Sequence, residues 1–424
     1  MVGTKGEALD ERWFPRLLAI YFEPYKLLVG DKTWRESEEV KFLSGEIENP
    51  TLDYSALKNF PFTERREQLM TLRADLLNNE ANEAVVMLYR RKMSEVAAML
   101  SLLAATLKGN DQAFTRYSDF VYGELESSDI QYVTSRFRQL VEGCLNQGGE
   151  VALAAERLST LIVNLPLCPS LGVAVDCLPP SSIREESVDL GQVIEAFREA
   201  LTAIAATDWQ LVVGESGVHY LSVSQETKTV HLPSKEQLQK RQLKPSQLKG
   251  LIAHEVETHI KRRRQGDASR LRLLGLGLDH YLRAEEGIAT WREQQHAGAE
   301  EFAGFVLYTL ILAARGYIGS AKDFRRTHEF ACDFLTLLHP ANSKESTRWL
   351  AYKNCERIFR GTTARTPGAV FTKDSCYFGN RTIWNLVLTH PEWVPFFDVG
   401  KFDPLNDTHV TLLKQLEILP DYLP

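Results

Sequence analysis

The two histidines of His254-Glu255-Val256-Glu257-Thr258-His259 constrain this chain more than any other stretch. Two histidines on one helical segment can ligate zinc, and a glutamate beside the first can act as general base on the metal-bound water. The spacing here is HExxxH, one residue longer than the HExxH of zincins. On a regular α-helix, residues i and i+4 lie about 40° apart around the axis, whereas i and i+5 lie about 140° apart. His254 and His259 on such a helix cannot share a metal. An i→i+5 bonded turn returns them to one face, and π-type widenings of this kind often mark functional sites. The hexapeptide therefore predicts a distorted helix between Leu251 and Lys261, or else two unrelated surface histidines.

A metal site needs a third protein ligand. Ala284-Glu285-Glu286-Gly287-Ile288-Ala289 offers carboxylates on a second predicted helix, a few tens of residues downstream. HEVETH followed by EEGIA resembles the HE(I/V)GTH…(Q/E)EGLA signature of the QEGLA-motif proteins, a family that includes bacterial members and the microtubule-associated tyrosine carboxypeptidases of animals. The resemblance implies a zinc metallopeptidase in which His254, His259 and Glu286 hold Zn2+ and Glu255 is the catalytic base. The family usually has glycine where this chain has Glu257, so that residue bears on the local backbone and on substrate fit.

Composition is that of an ordinary globular protein, with 44% hydrophobic and 25% charged residues. A net charge of −7 argues against nucleic-acid binding through the whole surface. Six scattered cysteines form no CxxC pair, which points to reduced thiols and a cytoplasmic location rather than a cysteine zinc site. The N-terminal residues lack the apolar core of a signal peptide, and the most apolar run, Phe302 to Ala314, is too short for a membrane span.

Taken in order, the chain predicts an amphipathic helix and a loop over residues 8–32, then an irregular stretch from Asn49-Pro50 to Pro61 that is loosely similar to a family segment. Helix is predicted from Phe62 to Gly109, where Val85, Leu88, Tyr89, Lys92, Val96, Met99, Leu100 and Leu103 form a stripe for core packing. Further helices follow to Leu161. Val173–Asp176 reads as extended. Trp209–Val213, Val218–Val223 and Thr229–Leu232 are separated by turn residues and read as a β-meander leading into the motif helix. An edge strand of such a sheet can hold an extended peptide by main-chain bonds. After the motif, Lys261 to Arg264 is either a solvated helix end or an outer attraction for an acidic tail, and His280 is structural or supports the site. Helices are expected over Glu301–Arg315 and Ala321–Leu338.

The segment from Arg360-Gly361 through Pro367-Gly368 to Phe371-Thr372-Lys373-Asp374 and Tyr377 resembles the family's RG…PG…FTKDxxY segment. A carboxypeptidase must recognise a free α-carboxylate, which Arg or Lys binds best. Arg360, Arg365 and Lys373 are the candidates, and Tyr377 is a candidate oxyanion donor. Lys373-Asp374 can equally be an ion pair that fixes the loop.

The expectation is an α+β protein, mostly helical, with a small antiparallel sheet before a zincin-like HExxxH helix. It divides into an N-terminal helical region (1–165), a catalytic region (166–390) and a packed tail (391–424). The expected activity is release of C-terminal residues from a peptide or protein tail, which can be acidic, with no membrane partner. The alternatives are a regulatory protein that retains the metal site and a metal-dependent amidase.

Overall fold

The computed structural model describes residues 7–166, 175–180, 186–214 and 221–424. It is mostly helical with one small sheet, an α+β architecture. The predicted helix over Phe62–Gly109 is two helices, Phe62–Asn79 and α1 (Glu83–Leu107), divided where the Asn82 side chain caps α1 by accepting from the Ala84 and Val85 N–H groups. All of the predicted α1 stripe is buried, Lys92 included; its ammonium donates to Glu95 at 2.6 Å. The apolar core around α1 runs from Trp13 to Leu423, so the C-terminal tail is packed, with Trp393, Phe397, Leu412 and Leu416 buried.

A second, smaller core positions the motif. Helix α2 (Leu190–Ala203) lays Val193, Phe197 and Leu201 against the sheet, formed by β1 (Gln210–Val213), β2 (Ser222–Ser224) and β3 (Thr229–Leu232). The sheet is not the predicted antiparallel meander. Its order is β1-β3-β2, with β3 parallel to β1 (Leu211 opposite Val230) and antiparallel to β2 (Val223 opposite Val230). Burial explains the order. Val230 and Leu232 of β3 are fully buried and take the centre, while the more exposed β1 and β2 take the edges. Of the residues predicted as strand, Val173, Ala174 and Val218 to Tyr220 lie outside the described residues, and Val175–Cys177 is a 3₁₀ turn.

The chain then enters α3 (Pro245–His254), a π turn (Glu255–Ile260) and α4 (Lys261–Ala268). Val256 and Ile260 of the π turn join the sheet core. Helix α5 (Leu282–Ala297) packs between α3 and α6 (Gly379–Thr389). Small residues set both approaches. A Cβ at Gly250 would meet the Glu293 carbonyl oxygen at 2.9 Å, and one at Gly287 would meet the Gly379 backbone at 2.8 Å. Gly250 thus lets α5 lie close enough to α3 to bring its glutamates to the histidines, and the glycine of EEGIA lets α6 close on the other side of α5. Among the described residues, no helix is long and apolar enough to cross a membrane.

Candidate metal centre

The helix distorts where the histidine spacing requires it. Residues Glu255–Ile260 form a π-helical turn, and the Thr258 hydroxyl donates to the Ala253 carbonyl five residues back, at 2.8 Å. His254 and His259 consequently face each other, with ring centroids 4.9 Å apart. Glu257 points to solvent, its backbone needs no positive φ, and its carbonyl accepts from Arg292. The side chain in place of the family glycine therefore stays out of the site.

Helix α5 presents Glu286 to both imidazoles. Its Oε2 lies 3.8 Å from His254 Nε2 and 3.7 Å from His259 Nε2, and it is buried without a hydrogen-bond partner. These separations are too long for hydrogen bonds and somewhat wider than the ~3.3 Å edge of a zinc tetrahedron with bonds of about 2.0 Å. Donor atoms of His254, His259 and Glu286 all lie within 4.8 Å of one another, and among the described residues no other His, Cys, Asp or Glu group of three is so placed. A buried carboxylate oxygen with no partner, aimed between two imidazole nitrogens, fits a cation.

The other ring nitrogens are held by carboxylates. His254 Nδ1 meets Glu293 at 2.8 Å, and His259 Nδ1 meets Glu285 at 2.9 Å. With Nδ1–H donating, each Nε2 keeps its lone pair for a ligand, as second-shell carboxylates arrange in metal sites. Glu285 is in turn held by Arg262 at 2.5 Å, and Arg262 also donates to the Gly400 and Phe402 carbonyls. Burial would raise the Glu285 carboxyl, but Arg262, Lys401 and the His259 bond hold it down at about 2. Burial disfavours the His254 imidazolium, yet Glu293, Glu255 and Glu286 outweigh that and push its pKa up to about 9. The carboxylates around His254 thus favour positive charge at that end of the cleft. Glu255 lies in the same cleft, and burial raises its carboxyl.

The cleft holds about 290 Å³. Edge strand β2 lines one part of it with Ser222 and Val223, and Lys373 and Tyr377 reach it from the 3₁₀ segment Thr372–Phe378. Glu286 is the largest influence raising the Tyr377 phenol, partly offset by Lys373, so the hydroxyl stays protonated and able to donate. The other two cationic candidates lie elsewhere. Arg365 is exposed, with Nη2 3.5 Å from Thr51, and Arg360 does not line the cleft. His280 lies in a separate depression beside Phe120. The basic run is not a uniformly solvated helix end. Arg262 is wholly buried, Lys261 pairs with Asp398 at 2.7 Å, Arg263 with Asp267 at 2.8 Å and Arg264 with Asp208 at 3.2 Å.

Sequence reasoning missed Glu293, Lys401 and the N-terminal residues Glu23, Tyr25 and Lys26, all placed at or beside the cleft. Glu293 did leave a signal, because it follows Glu286 by seven residues and so shares its helix face.

Asp374 fixes the Lys373 loop through Arg357 Nε at 2.9 Å. Burial opposes its charge, but Arg357 and Lys373 hold its pKa at about 2, below the ordinary 3.8. A depressed folded-state pKa gives stability that is present above pH ~4 and lost as pH falls towards ~2. Asp374→Asn is therefore expected to cost roughly 2 kcal/mol near pH 7. The difference from the native protein should shrink between pH 4 and 2, as urea unfolding at several pH values would read.

A protein-family model described as microtubule-associated tyrosine carboxypeptidase matches residues 179–422, more than half of the chain. No curated protein matches. The matched region contains the π turn, both glutamates of EEGIA and the Lys373–Tyr377 segment. The chain belongs to the microtubule-associated tyrosine carboxypeptidase family.

Proposed function

We propose that this protein is a zinc-dependent carboxypeptidase that releases C-terminal residues from a peptide or protein tail. The observation that carries the reading is the Lys373 ammonium, which shares one cleft with His254, His259, Glu286 and Glu255. Among the described residues it makes no hydrogen bond, and its ion-pair partner Asp374 stands 3.6 Å away. Its donors are thus available to a terminal carboxylate. Two imidazoles and one carboxylate suit zinc, and three protein ligands leave a position open, as catalytic sites do.

A bound zinc ion supplies Lewis acidity to the scissile carbonyl and the attacking water. Glu255 takes a proton from that water and delivers it to the leaving amine, a double role suited to a buried carboxylate with a raised pKa. The Tyr377 hydroxyl donates to the developing oxyanion. The outer edge of β2 offers main-chain groups to an extended substrate. The family name points to a C-terminal tyrosine as the first substrate to try. The acidic-tail reading now rests on Lys373 in the cleft, since the basic run is paired and Lys26 pairs with Glu23 and Glu226. A cytoplasmic location agrees with the unpaired cysteines among the described residues.

Paired peptides test the reading. A peptide with a free C-terminus should be cleaved at least ~100-fold better than its amidated twin, as expected when a buried cation loses its charged partner. Lys373→Ala should shrink that preference with zinc still bound. Equal turnover of the two peptides would leave an amidase or endopeptidase instead.

A further inference from the structure

We infer that Tyr25, on an N-terminal segment outside the family-matched region, is a positioning residue of the substrate site that acts through Lys373. The inference rests on the carboxypeptidase reading and extends it to a part of the chain that the family match does not reach.

The Lys373 ammonium lies 4.9 Å from the Tyr25 ring centroid and 5.5 Å from that of Tyr377. A nearly buried ammonium must be compensated for the water it loses. A carboxylate within hydrogen-bond distance would do this but would compete with the carboxylate of an incoming chain end. Asp374, the nearby acid, is engaged by Arg357 at 2.9 Å and stands 3.6 Å from Lys373. Aromatic faces stabilise a cation without occupying its N–H donors. Two tyrosines therefore hold the charge in place and leave its hydrogen-bonding capacity for a ligand.

The segment carrying Tyr25 is anchored on both sides. It is the short helix Pro24–Leu27, flanked by buried Phe22 and Leu28. The Phe22 ring packs on Phe60 at 5.1 Å, with the Arg65 guanidinium over both rings. Tyr25 and Lys26 line the cleft from this anchor. Lys26 pairs with Glu23 at 2.9 Å and reaches Glu226, in the β2–β3 turn, at 3.3 Å. The N-terminal segment is thereby tied to the strand edge that lines the same cleft, and Tyr25 is held where it sets the Lys373 ammonium.

The test uses the full-length, zinc-loaded protein and the free and amidated peptide pair. Tyr25→Ala should raise KM for the free-acid peptide about tenfold while kcat and zinc content stay within about twofold. Cleavage of the amidated twin should not change. Tyr25→Phe, which keeps the ring face, should restore KM to near the native value. An unchanged KM in Tyr25→Ala, or a Phe variant as impaired as the Ala variant, overturns the inference while the carboxypeptidase reading stands. Native protein that cleaves both peptides equally overturns that reading and this inference with it. If Tyr25→Ala does not fold, Tyr25→Leu, which keeps apolar bulk without an aromatic face, should raise KM several-fold; an unchanged KM there overturns the inference.

Discussion

Glu255→Gln is expected to keep about one zinc per chain and to lower kcat by about 10³-fold, with little change in KM. The residue is not one of the three whose donor atoms converge, so its loss leaves the ligand set intact. Glutamine fills the same volume in the cleft but cannot accept and return a proton. The buried carboxyl has a raised pKa, which brings it nearer to the value at which a group serves as base and then as acid. Metal analysis and steady-state kinetics on one preparation check both halves. An emptied site would make Glu255 a ligand, and activity within tenfold of native would move the base elsewhere.

The π turn was legible because the histidine spacing left few ways to build a site. An i, i+5 pair converges only on a widened helix, and the turn lies between Glu255 and Ile260. The Glu286 position was legible through EEGIA, and the structure shows why its glycine is there, at backbone contact with Gly379. The α1 stripe was legible as well, because helical periodicity reports burial directly.

Other features depend on contacts distant in sequence. Arg262 sits in a run of four cations that suits a solvated helix end. Its burial is decided by Glu285 and by carbonyls at Gly400 and Phe402, which sequence proximity cannot reveal. The strand order was hidden for a similar reason. Two turns of ordinary composition suggest a meander, but the central place of β3 follows from its burial against the α2 core. Arg360, Arg365 and Lys373 were equivalent on charge alone, yet only Lys373 lines the cleft. Tyr25 carried no motif, and its place became visible only with the Lys373 contact.

Removing any one ligand should nearly abolish metal binding. His254→Ala, His259→Ala and Glu286→Ala each leave two protein donors, fewer than the three that catalytic zinc sites use. Glu293→Gln and Glu285→Gln should weaken affinity only about 10–100-fold, because they orient the imidazoles without touching the ion. Stability separates these classes without any activity assay. Metal binding stabilises the folded chain by about 4 kcal/mol when free zinc is a thousandfold above Kd. A chelator should therefore lower the Tm of the native protein. Glu286→Ala should show no such fall, and its metal-free form should be at least as stable as metal-free native protein. The reason is local: Glu286 Oε2 is buried with no hydrogen-bond partner, so removing it also removes an unsatisfied polar atom. Stoichiometric zinc in Glu286→Ala, with a Tm still sensitive to chelator, would show that a different residue completes the site.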